Sequence, residues 1–98
     1  MATLNEAKDA LEIISGLIAP HCDRIGLAGS VRRNKRDVGD AELCVIGKPS
    51  LWPAVDELLA TGVIGKASYG ATGQQRWGKK YRGLTLPKFS FTIEIWRA

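Results

Sequence analysis

The 98-residue chain holds only two cysteines and one histidine. It has no run of about 18 apolar residues, the length a membrane-spanning helix needs. Each scarcity removes a class of protein. Cys22 and Cys44 are too few for a disulfide scaffold, and with His21 they make neither a CxxC pair nor a zinc spacing. They read as reduced core thiols of a cytoplasmic protein. The opening Met-Ala-Thr-Leu-Asn-Glu lacks a basic stretch followed by an apolar one, so no signal peptide is expected and no membrane partner. There is no internal repeat and no linker. The length implies one domain, residues 1–98, with a small core, and excludes a large enzyme with a separate cofactor domain. With 45% apolar and 24% charged residues the chain is of ordinary globular composition, not a disordered tail.

What is present is charge in blocks. The net charge is +4. Residues 1–23 hold four acids against Lys8, and residues 24–36 hold five Arg or Lys and no acid. Residues 37–65 hold five acids against Lys48, and residues 66–98 hold seven bases against Glu94. A basic block thus flanks the central acidic block on each side. Such a pattern suits carboxylates that hold metal amid cations that hold a polyanion; it also suits alternating solvated faces.

The spacing predicts a first helix over about residues 4–18. Thr3 and Glu6 form a T-x-x-E capping box, and Leu4, Ala7, Leu11, Ile14 and Leu17 or Ile18 follow at helical spacing up to Pro20. Arg24–Ala28 reads as a strand. Ser30 is placed to cap a short helix through Arg36, and Gly39 breaks the chain. Ala41–Ile46 reads as a second strand. Ser50 begins another helix with an apolar face of Leu51, Val55, Leu58 and Leu59, tolerating Pro53 in its first turn and stopped by Gly62. A short strand is expected within residues 63–69, then a glycine-rich basic loop over 70–79. Strands at Lys80–Leu86 and Phe89–Trp96 follow, antiparallel neighbours joined near Pro87. The order α-β-α-β-α-β-β-β predicts an α/β (α+β) fold: one sheet layer with helices mainly on one face.

Chemistry concentrates between Gly29 and Glu42. Asp40 and Glu42 stand two apart at the start of a strand, so both side chains leave the same face. Two such carboxylates repel unless a cation lies between them or one takes a proton. Magnesium suits them, as a hard ion bound by carboxylate oxygens, water and phosphate. Cys44 and Ile46 share that face, which turns apolar further along. Upstream, a strand-to-helix turn at Gly29-Ser30 offers free N–H groups to phosphate, with the Ser30 hydroxyl and the Arg33 guanidinium as further donors. Phosphates at this turn and metal at the acids would meet the needs of phosphoryl or nucleotidyl transfer. Two metals about 3.5–4 Å apart would want a third acid. Glu94, between Ile93 and Ile95, either joins the pair or is an outward charge guarding an edge strand.

The run Gly29-Ser30-Val31-Arg32-Arg33-Asn34-Lys35-Arg36-Asp37-Val38-Gly39-Asp40-Ala41-Glu42-Leu43 resembles the G-S-x-R-R-x(5)-G-D-x-D-[LIV] motif of the polymerase-β-like (family X) nucleotidyltransferases. The segment from Trp77 to Trp96 is similar to the end of the palm in small bacterial and phage members. The resemblance implies a palm-type nucleotidyltransferase domain with a single mixed sheet. It implies metal ligation by Asp40, Glu42 and Glu94, Glu94 acting as base or metal ligand for an acceptor hydroxyl. Ser30 and Arg33 would hold the β- and γ-phosphates of a nucleoside triphosphate, Gly39 would let the backbone approach them, and Gly29 would make the turn. Two magnesium ions are implied, with manganese as a substitute. Family members usually carry Asp where Glu42 and Glu94 stand, and each added methylene can cost about 10²-fold in rate through misplacement. No thumb, lyase domain or helix-hairpin-helix follows Trp96, so template grip is expected to be weak or to come from another chain.

Three readings follow. The first is transfer of a nucleoside monophosphate to a hydroxyl, such as a nucleic-acid 3′ end. The second is a catalytically degenerate module binding nucleotide, DNA or RNA through the basic segments 24–36 and 66–98. The third is the nucleotidyltransferase half of a toxin–antitoxin pair, working with a protein partner or as a homo-oligomer. Arg76, Trp77, Lys79, Lys80 and Arg82 would stack a base and grip phosphates, or Trp77 closes the core beside a basic hairpin. Trp52 and Trp96 read as packing residues, and His21 as a loop histidine.

Overall fold

Thr3 starts the first helix in the way its spacing to Glu6 dictates. In the computed structural model, Thr3 Oγ1 accepts from the Glu6 N–H at 3.1 Å, and Glu6 Oε1 accepts from the Thr3 N–H at 3.2 Å. The structure describes residues 2–28, 37–38, 41–67, 77–89 and 91–98. Helix α1 (Leu4–Ile18) buries Ala7, Ala10, Leu11, Ile14 and Ile18. Of Leu17 and Ile18, Ile18 is the core residue: eleven residues after Ala7 is close to three full turns, whereas Leu17 lies about 100° round the helix and is exposed. Pro20 sits in a single 3-10 turn, Ala19–His21, that ends the helix.

Strands β2 (Cys22–Ala28) and β4 (Ala41–Gly47) pair antiparallel, from Ala28 opposite Glu42 to Cys22 opposite Gly47. The helix expected from Ser30 to Arg36 lies outside the described residues. Two short strands that no periodicity can signal, β1 (Ala2–Thr3) and β3 (Asp37–Val38), form an antiparallel pair of their own against α1. Helix α2 (Leu51–Ala60) buries Leu51, Trp52 and Val55, with Leu58 and Leu59 partly buried. Ser50 precedes it but does not cap it: its backbone is already helical, and its Oγ lies 2.8 Å from His21 Nδ1. The stop at Gly62 is a Schellman turn. Gly62 takes φ +80°, its N–H donates to the Leu59 carbonyl, and the Val63 N–H donates to Leu58.

The remaining strands are β5 (Gly65–Lys66), β6 (Tyr81–Thr85) and β7 (Ile93–Arg97). β7 starts later than the strand expected over Phe89–Trp96 and ends one residue further on. The Phe89 N–H donates to the Leu86 carbonyl in a turn, and Phe89 packs edge-on against Phe91 at 5.4 Å. Turn residues mimic the strand period there. The five-stranded sheet runs β2-β4-β7-β6-β5, with β4 and β7 parallel and every other pair antiparallel. The fold is α+β, one mixed sheet with α1 and α2 on the same face. Ala41, Leu43, Val45, Leu84, Ile93 and Ile95 meet the helices there in one core. Among the described residues no helix is long and apolar enough to cross a membrane.

Candidate functional site

Strand alternation sorts the side chains of β4 and β7 onto two faces. Ala41, Leu43 and Val45, with Ile93 and Ile95, point into the core. Glu42, Cys44 and Ile46, with Glu94 and Trp96, therefore belong to the outer face, away from both helices. The parallel register then decides which of them meet. Glu42 is the direct Cα partner of Glu94. Adjacent strands lie about 4.8 Å apart, so the two glutamates leave the same face from neighbouring positions. Ala28 of β2 is opposite Glu42, and Gly83 of β6 is opposite Glu94. The rung thus reads Ala28, Glu42, Glu94, Gly83: two carboxylates between a methyl group and no side chain. Glu94 is 8% exposed and Glu42 is half-buried, so the pair sits low on its face. Glu94 stands on a central strand, and the reading of it as an edge guard does not apply.

The other residues of the expected site divide. Asp40, Gly29, Ser30, Arg33 and Gly39 lie outside the described residues. The chain re-enters at Ala41, whose N–H donates to the Thr92 carbonyl at 3.1 Å, one position before the glutamate pair. Among the described residues no three His, Cys, Asp or Glu side chains converge on a common point. Two adjacent carboxylates nonetheless form a hard, all-oxygen donor set, the kind magnesium takes, and completing it calls for water, phosphate or another acid.

The basic cluster of residues 76–82 divides between the interior and the surface. Arg76 lies outside the described residues. Arg82 pairs with Ile95, so it points to the helix side. Its guanidinium lies between two indoles, 4.4 Å from the Trp52 ring centroid and 4.6 Å from that of Trp77. It donates to Asp56 Oδ1 at 2.9 Å, and to the Trp52 and Gly78 carbonyls. Burial lowers its pKa from the ordinary arginine value, and Asp56 opposes that shift. Arg97 flanks Trp52 at 5.6 Å, and Lys66 flanks Trp77 at 5.0 Å. The Trp52 indole N–H donates to the Lys79 carbonyl at 2.6 Å. Cations and rings alternate along this ladder, which ties α2 to β5, β6 and β7. Arg82 and half-buried Trp77 are engaged inside the protein, while Lys79 and Lys80 are exposed.

Trp52 and Trp96 also part company. Trp52 is buried, as its sequence context suggests. Trp96 is 43% exposed on the outer face and stacks on Tyr81, with centroids 4.3 Å apart and planes 27° from parallel. Its rung reads Gly26, Cys44, Trp96, Tyr81, next to the glutamate rung. Residue parity carried this signal: 42 and 44, like 94 and 96, must share a face. Cys44 is exposed rather than buried, so only half-buried Cys22 touches the core. Desolvation raises the Cys22 pKa above the ordinary thiol value, against the opposing pull of Arg97 and Lys48. Compared with protein-family models and with curated proteins, the chain matches none.

Proposed function

We propose that the protein is a magnesium-dependent nucleotidyltransferase, transferring a nucleoside monophosphate from a nucleoside triphosphate to a hydroxyl acceptor such as a nucleic-acid 3′ end. One observation carries the reading: Glu42, two residues after the Gly39-Asp40 pair, stands Cα-to-Cα beside Glu94, its partner from a strand some fifty residues away. The resemblance of residues 29–43 asks for that conjunction, and local sequence does not produce it.

Glu42 and Glu94, with Asp40, are the residues that would hold the cation. When bound, magnesium would neutralise phosphate charge and favour the ionised acceptor hydroxyl. Glu94 accepts the proton of that hydroxyl or holds the ion in place. Ser30 and Arg33 hold the departing phosphates. The acceptor oxygen forms a bond to the α-phosphorus, the α–β bridging bond breaks, and pyrophosphate leaves with the electron pair. The free thiols of Cys22 and exposed Cys44 fit a cytoplasmic location.

The test is transfer of a labelled nucleoside monophosphate to an oligonucleotide with magnesium or manganese, for the wild type and for Asp40→Ala and Glu42→Gln. Both variants are expected to lose about 10²-fold or more in rate, the scale for removing one charge-stabilising group. Activity that survives both would reject the site. A folded protein that binds oligonucleotide but transfers nothing would favour the degenerate binding module, the reading that the two glutamates in place of aspartates suggest.

A further inference from the structure

The outer face carries a second rung that the reaction does not use. Trp96 and Tyr81 form a stacked pair beside the glutamates. Two residues along a strand separate the rungs, a step of about 6.6 Å. Trp96 keeps 43% of its surface exposed although it is the largest side chain on that face. On its other side, Gly26 and Cys44 leave room. A shallow trough of about 340 Å³ runs between β2 and β4, walled by Gly26, Cys44 and Ile46 and ending at Arg24 and Ala98. Cys44 is both a wall of this trough and the Cα partner of Trp96. A flat, exposed ring held rigid from behind, a groove beside it and one guanidinium at the groove's end together match a base and its phosphate.

We propose that Trp96, backed by Tyr81, is a stacking platform for a nucleobase at the end of a single-stranded nucleic acid acceptor, whose chain follows the trough towards Arg24. The proposal rests on the nucleotidyltransferase reading for the word acceptor, not for the binding itself. Position separates the two sources of a base. Ala28, the last described residue before Gly29, is level with the glutamates, and Ala41, the first after Asp40, lies one position beyond them on the side away from Trp96. A triphosphate bound by that segment and a strand stacked on Trp96 would approach the glutamates from opposite ends.

The experiment is fluorescence anisotropy of a labelled short oligothymidylate at low salt without metal, so that catalysis plays no part. Trp96→Ala is expected to weaken binding about 5- to 150-fold, the span for one base on an aromatic ring, while Trp96→Phe keeps most of it. An oligonucleotide with an abasic 3′ end is expected to lose a similar factor with the wild type and nothing further with Trp96→Ala. Arg24→Ala is expected to reduce the log–log salt slope by about 0.7, the value for one single-strand phosphate contact. In the wild type, bound oligonucleotide is expected to slow alkylation of Cys44 but not of Cys22, a readout that needs no variant. Wild-type binding that is absent, or equal in Trp96→Ala and wild type, overturns the platform. Loss of deoxythymidine triphosphate binding in Trp96→Ala with oligonucleotide binding intact overturns the acceptor assignment. Transfer that ignores Trp96 overturns the acceptor assignment and leaves the enzyme. Trp96-dependent binding without transfer keeps the platform and removes the enzyme.

Discussion

Two regions built from the same kinds of residue behave in opposite ways. On the helix side, Trp52, Trp77, Arg82, Arg97 and Lys66 stack on one another, and Asp56 closes the ion pair with Arg82. On the outer face, Trp96 and Tyr81 sit beside a glutamate pair and Arg24 stands two rungs from it, level with Ile46, with Trp96 and Arg24 exposed. The division runs between chain neighbours. Tyr81 goes one way and Arg82 the other, as do Trp96 and Arg97. Composition therefore says little about which basic and aromatic residues remain available to a ligand, and strand parity says nearly everything. The helix-side cations are spent on holding α2 to the sheet. Those of the outer face are left to the surroundings.

The sharpest way to break this contrast is at the glutamates. Glu94→Gln is expected to cut nucleotide transfer about 10²-fold or more, measured as labelled product at saturating magnesium. Unchanged transfer would remove Glu94 from the proposed site. Next comes the ladder. Arg82→Ala removes a cation between two rings and leaves Asp56 unpaired, and is expected to cost about 2 kcal/mol in urea unfolding. Arg82→Lys is expected to recover only part of that, because an ammonium neither stacks nor forks. A loss below about 0.5 kcal/mol would mean the ladder is decoration. Trp96→Ala serves as the matched substitution on the other side. It loses one stacked aromatic pair, about 1 kcal/mol, and less than Arg82→Ala. Reversal of that order would undo the comparison.

A smaller effect concerns the thiols. Alkylation followed by mass spectrometry is expected to reach exposed Cys44 before Cys22, whose desolvation holds back the reactive thiolate. The lag shortens as pH rises through the raised Cys22 pKa. Equal rates at pH 8 would contradict the burial of Cys22. Separately, Thr3→Ala is expected to cost about 1 kcal/mol by removing the helix cap.

Much of the frame was legible because its causes are local. The capping box, the stripe from Ala7 to Ile14, the helix stop at Gly62 and the two outer-face parities each depend on residues within a few positions of one another. Ser50 shows where local reasoning fails: its hydroxyl is drawn away by His21, 29 residues earlier, so a residue suited to capping does something else. Trp96 reads as a packing residue because a large apolar ring usually is, and no nearby residue says that α1 and α2 both lie on the other face of the sheet. For Arg82 and Trp77 the local sequence leaves ligand grip and core closure equally open, because the residues that decide for the core, Trp52 and Asp56, are 25 to 30 positions away.

By itself, then, the chain's residue order determined the two described helices, the approximate place of the longer strands, and which side chains within each strand share a face. Local hydrogen bonding and the twofold strand period need no distant partner. Only the tertiary structure decided that β7 lies parallel to β4 in the register that sets Glu94 beside Glu42. Strand neighbours so far apart in sequence are chosen by the burial of a common core, in which Ile93 and Ile95 must join Leu43 and Val45 beneath the helices.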